Sequence, residues 1–103
     1  MFTTIGRADF AVTRGAPASW RSTSFGERGF CAACGSLLTI RLDFQPDTID
    51  ISAGTLDRPE AVAPGFHLFC RDAVPWSLLD DGLPRHDQFR PDTRGLAPGT
   101  FPG

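Results

Sequence analysis

Two cysteines separated by two alanines and followed by glycine, Cys31-Ala-Ala-Cys34-Gly35, constrain this chain more than any other feature. Thiols at that spacing can reach one metal ion, and the glycine supplies the backbone freedom a tight knuckle needs. Structural zinc takes four protein ligands in a tetrahedron, yet the chain has no second Cys-x-x-Cys. Cys31 and Cys34 therefore read as half of a zinc site. A redox-active dithiol is the second reading. It is disfavoured because β-prone residues lie on both sides of the motif, where a thioredoxin-like pair is followed by a helix.

The stretch after the knuckle carries the best strand signal. Leu38, Ile40, Leu42 and Phe44 alternate with Thr39, Arg41 and Asp43, and Gln45-Pro-Asp47 turns the chain. Thr48-Ile-Asp-Ile-Ser52 alternates again, with Ile49 and Ile51 on one face. Phe10–Val12 and Ala18–Thr23 are shorter β-prone pieces around an Arg14-Gly-Ala-Pro17 turn, and Phe66–Cys70 is a further strand candidate. A short helical turn is expected near Ser77, Leu78 and Leu79, ending at Asp81-Gly82. Short strands bounded by turns, without helical crossovers, imply antiparallel β structure.

Composition excludes several classes. Nine Phe and two Trp within a 41% hydrophobic chain of 103 residues support one small packed domain. A net charge of −2, with ten scattered arginines and no lysine, leaves no basic patch for nucleic acid or anionic membrane. No run of about 18 apolar residues could span a bilayer, and the N-terminus does not resemble a signal peptide. Three cysteines argue against a disulfide framework, so a reduced, cytoplasmic protein is expected. Residues 1–86 are expected to form the domain, with 87–103 a flexible tail rich in Pro and Gly.

Read in order, Trp20-Arg-Ser-Thr-Ser, Arg28-Gly-Phe-Cys-Ala-Ala-Cys-Gly-Ser-Leu-Leu, Ser52-Ala-Gly-Thr-Leu-Asp-Arg-Pro59, His67-Leu-Phe and Pro75-Trp76 resemble the glutathione-dependent formaldehyde-activating (GFA) family, also called the centromere protein V family. The resemblance spans roughly Phe2 to Pro84. It implies a small, mainly β, antiparallel zinc fold of the Mss4-like kind. It also implies a carbon–sulfur lyase activity that joins glutathione and formaldehyde as S-hydroxymethylglutathione. Members hold a structural zinc on an early Cys-x-Cys and a later Cys-x-x-Cys, and a catalytic zinc on three cysteines between them.

Carried over by residue, Cys31 and Cys34 match the later pair of the structural site. Nothing here matches the early pair or the catalytic cysteines, so the fold is expected to be an N-terminally truncated version and not catalytic alone. The implied partner is glutathione or another small thiol adduct. If the short form is genuine, it reads as a non-catalytic zinc-binding or interaction module, with two copies sharing one four-cysteine zinc as a homodimer.

His67 and Cys70 would formally complete a three-cysteine, one-histidine set. In a strand, however, residues three apart point to opposite faces, so Cys70 reads as a small buried hydrophobe and His67 as a structural histidine. Trp20 and Trp76 read as core or pocket-wall aromatics. Asp57 reads as a turn residue, and Asp80-Asp81-Gly82 as a solvated stop.

Overall fold

The computed structural model describes residues 1–77 and 80–90. The chain divides into two compact units, Met1–Val62 and Ala63–Gly103.

The first unit is built on an antiparallel sheet of five strands among the described residues: β1 (Phe2–Gly6), β2 (Ala18–Thr23), β3 (Gly26–Phe30), β4 (Leu37–Leu42) and β5 (Thr48–Ser52). Their spatial order is β1-β5-β4-β3-β2. β2 to β5 thus form a meander, and β1 joins the far edge by pairing with β5, Phe2 opposite Ser52 and Gly6 opposite Thr48. The mainly β, antiparallel architecture expected from the alternation is present.

The register decides which side chains share a face. Trp20 lies opposite Arg28, Arg28 opposite Ile40, Ile40 opposite Asp50, and Asp50 opposite Thr4. The other face carries Thr39 opposite Ile51, Ile51 opposite Thr3, and Ile49 opposite Ile5. Because paired residues point the same way, Ile40 and Leu42 sit on one face, and Ile49 and Ile51 on the other. The centre of burial is on β5 and just beyond it, where Ile49 is 3% and Ala53 5% exposed. Full burial of an isoleucine contributes about 1.5–3 kcal/mol.

Gly29 is demanded by its neighbour. A Cβ there would collide with the Thr39 hydroxyl across the β3–β4 ladder. At the end of the sheet away from the knuckle, Arg21 donates to both Asp43 carboxylate oxygens, at 2.8 and 3.0 Å, and to the Ser24 carbonyl at 3.2 Å. The Asp43 N–H donates to the Phe25 carbonyl at 2.8 Å, and the Phe25 and Phe44 rings meet at 5.8 Å. These contacts end β4 at Leu42, two residues before the alternation in the sequence runs out.

Two expected strands are absent. Phe10–Val12 forms no regular element. Over Phe66–Cys70 only His67 makes a bridge, parallel to Arg85. Phe69 is left-handed (φ 55°, ψ 35°) and opens a 3-10 turn at Cys70–Asp72, which stops any extended run. A 3-10 turn at Pro75–Ser77 meets the expected short helical turn only at Ser77, and Leu78 and Leu79 lie outside the described residues.

The tryptophans correct their expected role. Trp20 is 64% and Trp76 87% exposed, so neither is a core residue: Trp20 sits on an outer strand and Trp76 within the Pro75–Ser77 turn.

In the second unit, residues 67–71 run beside 84–88. His67 N–H donates to the Pro84 carbonyl, Phe69 N–H to Gln88 and Cys70 N–H to His86, at 2.8–3.1 Å. Phe69 packs edge-on against Phe89 at 4.9 Å, and the Arg90 guanidinium lies 4.6 Å above the Phe66 ring. Residues 87–90, the start of the expected tail, take part in this packing, while 91–103 lie outside the described residues.

Candidate metal half-site

The knuckle is the turn between β3 and β4. The register slips from Gly29 opposite Thr39 to Phe30 opposite Leu37, so Leu38 is an extra residue on β4. Such a bulge bends the strand and re-aims the residues next to it. Within the turn, Cys31 N–H donates to the Ser36 carbonyl at 2.9 Å, and Gly35 N–H to the Cys31 carbonyl at 2.7 Å. These two bonds close the loop on itself. Gly35 has φ +80°, with no atom within 4 Å of a built Cβ, so glycine is required there by conformation and not by space.

The loop carries both thiols, and that of Cys31 is near enough to influence that of Cys34. Cys31 is half-buried and Cys34 exposed, and the Cys34 Sγ lies 3.2 Å from the Ser36 hydroxyl. The Ser36 hydroxyl, the Ser36 backbone and the Cys31 thiol, in that order, hold the Cys34 thiol below its ordinary pKa. A thiolate at Cys34 is favoured by donors the knuckle itself supplies. Chemically, the loop offers two soft sulfur donors, one half-buried and one exposed.

The pair is a half-set. Among the described residues there is no group of three or more His, Cys, Asp or Glu side chains able to hold a metal ion. Two thiols do not fill a tetrahedral zinc shell.

Cys70 begins the 3-10 turn of the second unit, half-buried, with its N–H on the His86 carbonyl at 3.0 Å. The nearby pairing of His67 with Asp81 is not signalled by the sequence. His67 Nε2 stands 2.8 Å from Asp81 Oδ2, and Leu83 N–H donates to Oδ1 at 3.1 Å. The Leu83 N–H first, and His67 second, keep the Asp81 carboxyl below the usual carboxylate range. Asp81 is exposed at a bend before the left-handed Gly82, as expected of a solvated stop, and also anchors an imidazole. No spacing rule links the two across an irregular segment.

A shallow groove of about 220 Å³ lies at the other end of β4, lined by Arg7, Glu27, Arg41, Leu42, Asp43 and Pro46. Its charges are engaged internally: Arg41 with Glu27 at 3.5 Å, Asp43 with Arg21 at 2.8 Å, and Arg7 with the Pro46 carbonyl at 3.3 Å.

No helix among the described residues is long and apolar enough to cross a membrane. No curated protein and no solved structure matches the chain. The sequence model of one family, described as glutathione-dependent formaldehyde-activating enzyme, matches residues 1–72, which include the whole sheet and the knuckle. With a knuckle of the expected kind on an antiparallel sheet, and that match over more than half its length, the chain belongs to the GFA family.

Proposed function

We propose that this chain is a zinc-binding GFA protein in which Cys31 and Cys34 supply half of a structural zinc site. The observation that carries this reading is the self-closed knuckle, whose backbone bonds and Gly35 conformation hold Cys31 and Cys34 on one tight loop without help from another segment. The family chemistry joins glutathione and formaldehyde, in the carbon–sulfur lyase class, and the ligand is glutathione or a related small thiol adduct. With two thiols as its gathered metal ligands, the chain by itself is not catalytic. An odd number of cysteines, all free in the structure, supports a reduced, cytoplasmic setting.

A second reading is a non-catalytic zinc-binding or interaction module. The exposure of the knuckle from Ala32 to Ser36 favours it, since a metal held there is presented at a surface.

The test is zinc analysis of the purified chain beside an assay of S-hydroxymethylglutathione formation. Zinc should bind, vanish in Cys31→Ser and Cys34→Ser, and leave the rate at the uncatalysed background. Chelation should lower the melting temperature, because site assembly is coupled to folding. Absence of zinc would overturn the metal assignment, and a rate above background would overturn the non-catalytic one.

A further inference from the structure

The groove at the end of β4 is built by fixed elements. Arg7 follows β1, and its N–H donates to the Asp47 carbonyl at 2.8 Å, which pins it beside the β4–β5 turn. In that turn Gln45 N–H donates to the Leu42 carbonyl at 3.0 Å, and Glu27 and Arg41 face each other across the β3–β4 ladder. We infer that this groove binds the head group of an α-amino acid, taking its carboxylate on Arg41 and its ammonium on Glu27. The site is separate from the knuckle and independent of zinc; only the glutathione arm of its test rests on the ligand proposed above.

Three observations carry it. The first is unused hydrogen-bonding capacity. Arg41 and Glu27 approach at 3.5 Å, an ion pair beyond the roughly 2.7–3.2 Å of ordinary N–H···O bonds. Neither side chain hydrogen-bonds to another described residue. A guanidinium fork matches a carboxylate, and a carboxylate accepts from an ammonium. A half-exposed pair at that distance adds little to stability, so a ligand that separates it disrupts little.

The second is charge. Asp43 is committed to Arg21 through two hydrogen bonds, at 2.8 and 3.0 Å, and Arg41 is matched by Glu27. Arg7 pairs with no carboxylate among the described residues, and its guanidinium donates to the Pro46 carbonyl at 3.3 Å. With Arg21 counted, the lining side chains carry one surplus positive charge. A zwitterionic head group with one further carboxylate, as in glutamate or glutathione, matches that balance.

The third is size. With Leu42 and Pro46 as its apolar lining, the groove offers about 220 Å³. That is less than the roughly 300–1,000 Å³ of sites for drug-sized ligands, and it suits a head group of amino-acid size.

Titration of the full chain with L-glutamate, followed by calorimetry and by amide NMR shifts, tests this. Saturable binding with shifts centred on Arg7, Glu27, Arg41 and Leu42 is expected. N-acetyl-L-glutamate, which lacks the ammonium, should bind at least tenfold more weakly. That comparison uses the unaltered chain, so it holds even where a variant fails to fold.

Arg41→Gln and Glu27→Gln should each weaken glutamate binding about tenfold, equivalent to ~1.4 kcal/mol, with circular dichroism confirming that the sheet persists. Arg58→Gln removes a charge from an exposed position outside the groove and should leave binding unchanged.

A glutathione titration separates the sources of the head group. Glutathione shifting the same amides would support the site with the tripeptide as a carrier. Glutamate binding there without glutathione would keep the groove and overturn the proposed ligand. No saturable binding, shifts centred elsewhere, equal affinity for the acetylated ligand, or undiminished binding by both variants would overturn the groove site. Glutathione binding without these shifts would overturn it too, and leave the proposed ligand standing.

Discussion

The Ser36 hydroxyl stands 3.2 Å from the sulfur of Cys34, two residues before it on the same turn. That contact gives the two knuckle cysteines unequal chemistry. Cys34 is exposed and favoured as thiolate, whereas Cys31 is half-buried.

In metal-free protein, Cys34 should be the first cysteine alkylated by iodoacetamide. Since its pKa is lowered chiefly by the Ser36 hydroxyl, Ser36→Ala should move its alkylation profile to higher pH. Peptide mapping across a pH series reads this out. Equal rates at Cys31, Cys34 and Cys70 would contradict the assigned geometry.

Gly29 and Thr39 are coupled across the β3–β4 ladder. Gly29→Ala places a methyl against the Thr39 hydroxyl, on a stiff β-branched side chain, and should cost about 1–3 kcal/mol. In a Thr39→Ala background the same change should cost less than about 1 kcal/mol. Urea unfolding of the four variants closes the cycle, and additive costs would rule out the contact.

Asp43 predicts acid behaviour at the end of the sheet. Its carboxyl is held below the ordinary range, first by the hydrogen bonds from Arg21. A depressed carboxylate stabilises the fold above its unfolded pKa, and that contribution is lost as pH falls through the folded value. Below about pH 4, β2 should loosen from the end of β4. Trp20 fluorescence in a Trp76→Phe background should report this step, and Asp43→Asn should abolish it.

Phe69 holds a left-handed backbone at φ 55° while its ring packs on Phe89 at 4.9 Å. Two truncations separate these effects. Phe69→Gly and Phe69→Ala both lose the ring, but glycine also relieves the left-handed cost of about 1–2 kcal/mol. Hydrogen exchange at Cys70 and Arg71, whose N–H groups bond to His86 and Asp87, should be slower in the glycine variant. Faster exchange there would exclude backbone strain at Phe69.

Legibility followed local periodicity. β4 and β5 were readable because alternation over Leu38–Leu42 and Thr48–Ser52 requires only neighbouring residues. β3 was not, since Gly26-Glu-Arg-Gly-Phe30 has two glycines, two charges and little intrinsic β preference. It is a strand because β2 and β4 supply a ladder on each side, and Gly29 is there because Thr39 needs the space. The same limit explains Phe66–Cys70, whose strand-like residues are broken by the left-handed Phe69.

The sequence by itself determined the knuckle, the antiparallel β class and the family, because each is written in short-range spacing. Tertiary structure decided that Ile40 and Ile49 occupy opposite faces, that Trp20 and Trp76 are exposed, and that Asp81 anchors His67. Each of those depends on register or on a contact between distant segments. A period of two says that side chains alternate, but only the pairing of strands says which way they point.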